Sequence, residues 1–104
     1  NLVGGLKVDD PAADLAVITA VASAARDQLL SNSVVLIGEI GLGGEVRSVS
    51  RLETRINEAK SLGFKTVIAP AANVKRISKH VKRIKVSGIS SVAEAFQILF
   101  YCNL

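Results

Sequence analysis

The sequence predicts an α/β (α+β) domain, and three observations carry that reading. Short β-branched runs, Ser33-Val34-Val35-Leu36-Ile37 and Lys65-Thr66-Val67-Ile68-Ala69, alternate with stretches whose apolar residues recur at three- and four-residue steps. Cap and breaker residues stand at most of the joins. The chain of 104 residues, 49% of them hydrophobic, is the size of one domain and can bury a core with little margin. Residues 1–104 are therefore read as a single domain. Because the chain begins without Met, on an apparent strand at Asn1-Leu2-Val3, a piece of a longer protein is expected.

Taken in order, Asp10 is placed to N-cap a helix, Pro11 suits the first helical position, and the run 12–30 follows without a breaker. Residues 15–25 carry no charge and are rich in alanine, so this helix is expected to be buried on more than one side. The run 33–37 reads as a strand, 41–44 as turn chemistry and 45–49 as the alternating return strand of a hairpin. Leu52, Ile56, Ala59 and Leu62 then recur at helical spacing, with Gly63 as C-cap. The strand 65–69 ends at Pro70. Asn73 is expected to cap a helix bearing Val74, Ile77 and Val81, followed by a short strand at 84–86. Ser90 or Ser91 caps a last helix with Val92, Ala95, Phe96 and Leu99 as its packing stripe. No repeat, linker or low-complexity tract interrupts this order.

Several function classes find no support in the composition. The one cysteine, Cys102, leaves no internal disulfide or multi-cysteine zinc site and fits a reducing compartment. No run of about 18 apolar residues is free of charge, and the N-terminus lacks a basic-then-apolar signal, so a soluble chain with no membrane partner is expected. His80 is the only histidine and stands in a basic run, which leaves no Ser-His-Asp, Cys-His or histidine metal constellation. Gly41-Leu42-Gly43-Gly44 is not a phosphate loop, because no Gly-Lys-Ser/Thr opens a helix after it. Asp9, Asp10 and Asp14 are better explained as a cap and first-turn acids than as a cation site.

Motifs in a fixed order carry a resemblance over almost the whole chain. The turn Asp10-Pro11-Ala12-Ala13-Asp14 leads into the apolar helix; Ile37-Gly38-Glu39-Ile40 opens the hairpin; Arg51-Leu52-Glu53-Thr54-Arg55 opens the next helix. This pattern resembles the proteolytic domain of the Lon family, in which a serine turn, a hairpin and a lysine-bearing helix build a Ser-Lys dyad. It is closer still to the C-terminal Lon-like domain of the RadA (Sms) family of DNA repair proteins, through Val3-Gly4-Gly5, the run 11–17, Gly38-Glu39-Ile40 and the segment 51–64. The resemblance implies a mixed sheet with packed helices. It also implies a parent protein with a zinc-binding segment and a RecA-like ATPase, hence zinc and ATP outside this domain, a hexameric ring, and work on branched or single-stranded DNA. The compartment would be the bacterial cytoplasm, or a plastid or mitochondrion for a plant source.

The resemblance also maps the dyad onto Ala12 and Arg55. A Ser-Lys protease needs a hydroxyl to attack and a neutral amine to take its proton; Ala12 has no nucleophilic atom, and the Arg55 guanidinium stays protonated. Substitute pairs, Ser50 with Lys60 or Ser23 with Lys7, have no spacing in their favour. The reading is a degenerate pseudo-protease, with an active Ser-Lys peptidase and a plain oligomerisation module as alternatives.

Charge supplies the positive signal. Lys75, Arg76, Lys79, Lys82, Arg83 and Lys85 occupy one acid-free run in a chain of net charge +4. Such a cluster is either a solvated face or a sequence-independent contact to nucleic-acid phosphate. Phe64, Phe96, Phe100 and Tyr101 are the aromatic residues and none interleaves with the run, so base stacking is not expected.

Overall fold

The computed structural model describes residues 2–3, 6–7, 9–77 and 81–101. Its elements are β1 (Leu2–Val3), β2 (Leu6–Lys7), a 3-10 turn (Pro11–Ala13), α1 (Asp14–Ala25), β3 (Val34–Leu36), β4 (Glu39–Ile40), β5 (Val46–Arg47), α2 (Leu52–Ser61), β6 (Thr66–Pro70), α3 (Ala71–Val74), β7 (Lys85–Ile89) and α4 (Val92–Tyr101). β3, β6 and β7 form a parallel sheet in the order β3-β6-β7, while β1-β2 and β4-β5 are antiparallel pairs. The result is the mixed α/β architecture predicted.

Burial of β6 on both faces explains the layering. Val67, Ile68 and Ala69 are wholly inaccessible, as expected for the central strand of a parallel sheet. Alternation then sends Val35, Ile37, Val67, Ala69 and Val86 to one face, against Leu52, Ile56 and Ala59 of α2. Val34, Leu36 and Ile68 go to the other, against Leu15 of α1 and Ala95, Leu99 and Phe100 of α4. Ser91 Oγ accepts from the Glu94 amide at 3.1 Å and so caps α4, as expected.

Four sequence expectations require correction. The helix expected over 12–30 is a 3-10 turn followed by an α-helix that stops at Ala25. Asp27 takes φ +50°, and bonds from its amide to Ala24 C=O (3.2 Å) and from the Gln28 amide to Ser23 C=O (3.0 Å) close a Schellman motif. Nor is α1 buried all round: Leu15 and Thr19 are buried, but Ile18 is 39% and Val21 61% exposed, because the sheet and α4 cover one side of it only.

The hairpin is shorter than expected and uses other residues. The strand expected over 33–37 is β3, Val34–Leu36, which pairs in parallel with β6, and the hairpin is Glu39↔Arg47 and Ile40↔Val46. Gly38 makes the switch: its amide donates to Ala12 C=O at 2.9 Å, and a Cβ there would lie 2.8 Å from Val46 Cγ1. Finally, Asn73 caps nothing. It lies inside the four-residue α3, which ends at Val74, and its side chain bonds the Val49 amide (2.7 Å) and carbonyl (2.9 Å). Pro70 precedes that helix instead, pre-setting its entry with φ −62°. Ile77 and Val81 still pack on the α2 side of the core, though not from one helix.

Candidate functional site

The turn that would hold a nucleophile is built around Asp10. Its Oδ1 accepts from the Ala12 amide at 3.0 Å, its carbonyl accepts from the Ala13 amide at 3.0 Å, and Pro11 has no amide to satisfy. Two further bonds fasten the turn to Gly38, Gly38 N to Ala12 C=O (2.9 Å) and Leu15 N to Gly38 C=O (3.0 Å). Asp14 Oδ2 accepts from the Ile40 amide at 3.2 Å, tying the start of α1 to the hairpin. Thus the three acids near the turn are not arranged as a cation site: Asp10 and Asp14 point to different partners, and no three His, Cys, Asp or Glu among the described residues converge.

Arg55 reaches this turn from the first turn of α2. Its Nη1 donates to Asp10 Oδ2 at 2.7 Å and its Nε to the Ser50 carbonyl at 2.9 Å. The Arg55 guanidinium beside Asp10, helped by the Ala12 amide, holds the Asp10 carboxyl below its ordinary value. Arg51, the residue before α2, takes a left-handed φ of +55°. Ala12 and Arg55 line the same two depressions. One, of about 260 Å³, is completed by Pro11, Glu39 and the loop 48–50. The other, of about 410 Å³, runs along β3 between α1 and α2.

The structure therefore brings Ala12 and Arg55, onto which the resemblance maps the dyad, to one site, with a buried methyl group at Ala12 and a cation already neutralised at Arg55. Among the described residues, the serines of the two substitute pairs are placed otherwise. Ser23 Oγ donates to the Gln28 carbonyl. Ser50 precedes α2, whereas Lys60 lies in its last turn, more than about 10 Å along the axis at 1.5 Å per residue. The glycine turn is closed on itself: Gly41 N donates to Glu45 C=O (2.9 Å) and Gly43 N to Glu45 Oε1 (3.0 Å). Glu45's own amide, then Arg47, then the Gly43 amide hold the Glu45 carboxyl below its ordinary value.

The basic run divides into pieces. Lys75 and Arg76 follow α3, Lys82 and Arg83 precede β7, and Lys85 is its first residue; all five are exposed. Val74, Ile77, Val81, Ile84 and Val86 alternate with them and pack on the core, so the segment's charges are forced outward. Lys79 and His80 lie outside the described residues, as do Cys102 and Gly4-Gly5.

Sequence reasoning missed one cluster. Lys60 and Lys65 join Lys82 and Arg83 around an open cleft of about 540 Å³ that also contains Gly63 and Phe64. Two devices assemble it, one local and one long-range. A Schellman motif at Gly63 (φ +92°), with Gly63 N to Lys60 C=O (3.0 Å) and Phe64 N to Ala59 C=O (3.1 Å), folds Lys65 back beside Lys60. The pairing of β6 with β7, extended by Lys85 N to Lys65 C=O (3.0 Å), then delivers Lys82 and Arg83. Only long-range strand pairing joins them, which no local spacing announces.

Comparison with known proteins places the chain among relatives. The chain is 49% identical to the DNA repair protein RadA of Bacillus subtilis over 93% of its own length and 21% of the relative's. It is 40% identical to the DNA repair protein RadA of Chlamydia pneumoniae over 95% of this chain and 22% of that protein. For the DNA repair protein RadA of Synechocystis the identity is 42%, over 86% of this chain and 18% of the relative. The chain thus spans about a fifth of the length of these curated relatives. The model of the Lon protease (S16) C-terminal proteolytic domain matches residues 3–101, and with that match over nearly all of its length the chain belongs to this family.

Proposed function

We propose that this chain is a proteolytically inactive Lon-type domain that acts as a scaffold, supporting ring assembly and sequence-independent DNA binding in a repair protein of the RadA kind. One observation carries the inactive part: at the turn where the family's protease keeps its serine stands Ala12, and the group opposite, Arg55, is held by Asp10 and the Ser50 carbonyl. A permanently protonated guanidinium cannot take a proton from a nucleophile, and its hydrogen bonds fix it as a brace between the turn and α2. The relatives' description as DNA repair proteins and the exposed run of cations support the DNA part.

An outer face of α1 favours assembly. Ile18 and Val21, 39% and 61% exposed, form an apolar stripe that a neighbouring subunit would cover. In this reading ATP and zinc belong to other parts of the parent protein, and the bacterial relatives favour the bacterial cytoplasm, or an organelle if the source is a plant. Incubation with casein and a fluorogenic peptide tests the central claim. Neither the wild type nor Ala12→Ser alone should cleave above buffer, since a serine without a neutral amine has no base. Turnover by wild-type protein that survives repurification would overturn the proposal.

A further inference from the structure

The cleft between α2 and β7 differs from an ordinary solvated face. Lys60, Lys65, Lys82 and Arg83 converge on it from two chain segments, 60–65 and 82–83, and no acid lines it. Among the described residues none of the four forms an ion pair. Lys60 and Lys65 at a helix C-terminus have a partial explanation in the helix dipole, but the Schellman bonds already satisfy the Ala59 and Lys60 carbonyls there. Lys82 and Arg83 have no such explanation, and Arg83 holds a left-handed φ of +67° that a non-glycine residue rarely adopts. Four mutually repelling cations kept together without counter-charge describe a surface complementary to a polyanion.

The ring of Phe64 lies in the same cleft, half-buried, with one side against the α2 core. In the linear sequence it is separated from Lys82 and Arg83 by the whole of β6 and α3; strand pairing puts them together. Cations that track a phosphodiester backbone beside an aromatic ring are the two components of single-strand recognition: charge for the phosphates and a π-face for an unpaired base. A duplex keeps its bases stacked inside and offers the ring nothing.

We propose that this cleft seats a single nucleic-acid strand, with Lys60, Lys65, Lys82 and Arg83 on successive phosphates and Phe64 against one base. The inference rests on the phosphate-binding reading above and deepens it by naming the site and the form of nucleic acid. It makes Lys75 and Arg76, outside the cleft, peripheral.

The experiment is a salt titration of the 104-residue chain with a short labelled single strand and its duplex, followed by fluorescence anisotropy. Removing two phosphate contacts in Lys60→Ala/Lys65→Ala should lower the single-strand salt slope by about 1.4, at roughly 0.7 per contact, while Lys75→Ala/Arg76→Ala should lower it far less. Phe64→Leu should weaken single-strand binding about fivefold or more and leave duplex binding within about twofold, and Phe64→Tyr, which keeps a ring, should retain it. Equal thermal midpoints separate these effects from unfolding. If Lys75→Ala/Arg76→Ala lowers the slope and Lys60→Ala/Lys65→Ala does not, the cleft assignment fails while DNA binding by the domain stands. Binding by no variant or wild type sinks both. Tripolyphosphate that displaces the strand at equal phosphate concentration, or a Phe64→Leu loss shared by the duplex, also overturns the single-strand assignment.

Discussion

The two ends of α2 treat charge in opposite ways. At its start, Arg55 is paired with Asp10 at 2.7 Å, and the carboxylate is engaged in turn by the Ala12 amide. At its end, Lys60 faces Lys65, Lys82 and Arg83 with no acid between them. Five residues, about 7.5 Å of helix, separate a closed site from an open one. Satisfied charge makes a brace, because moving either partner strands the other; unsatisfied charge marks a surface that gains by meeting something outside the chain. The positions onto which the resemblance maps the Ser-Lys dyad belong to the first end, and the binding proposed for this chain to the second.

The most damaging way to break the comparison is to remove the support the two ends share. Ile56 is fully buried beneath α2, so Ile56→Ala should cost about 2–5 kcal/mol in urea unfolding and loosen both ends together. Asn73→Ala acts on the closed end only. It leaves the Val49 amide and carbonyl without partners and frees the loop that carries Ser50, for an expected loss of about 1–3 kcal/mol.

Smaller is Asp10→Ala, which removes a cap worth about 1 kcal/mol and an exposed ion pair worth less than about 1 kcal/mol. The pH dependence sharpens this. Because the folded-state value of Asp10 is depressed, its stabilisation is fully present above the ordinary carboxylate value and is lost as pH falls through the depressed one. Urea midpoints of wild type and Asp10→Asn should therefore differ at neutral pH and converge in acid. Discounted for screening, since Asp10 is 52% exposed, the difference should shrink in high salt. The smallest effect is expected from Lys60→Ala/Lys65→Ala, within about 0.5 kcal/mol of wild type at high salt, because those charges make no ion pair among the described residues and salt screens their helix-dipole contribution.

The helix ends show how far local reading reaches. α1 and α2 stop with the same Schellman bonds, yet Gly63 announced its stop and Asp27 did not. Glycine adopts positive φ freely, whereas Asp does so only where surrounding bonds repay the strain. Asn73 misled for a related reason: its side chain has the chemistry of a cap and is used instead as a clamp on a loop 24 residues away. The strand 33–37 was legible as a strand but not its partner, since β-branching favours a pleated surface without specifying which neighbour it pairs with.

The sequence by itself determined the α/β class, the order of the elements, the absence of a nucleophile at position 12 and of a base at position 55, and the outward charges of the run before β7. These follow from residue chemistry and short-range periodicity. Tertiary structure alone decided that Arg55 is neutralised by Asp10, 45 residues away, and that Lys60, Lys65, Lys82, Arg83 and Phe64 share one cleft. For the cleft, the physical reason is the parallel pairing of β6 with β7: its register is set by which faces are buried across the whole sheet, a long-range condition that no local spacing contains.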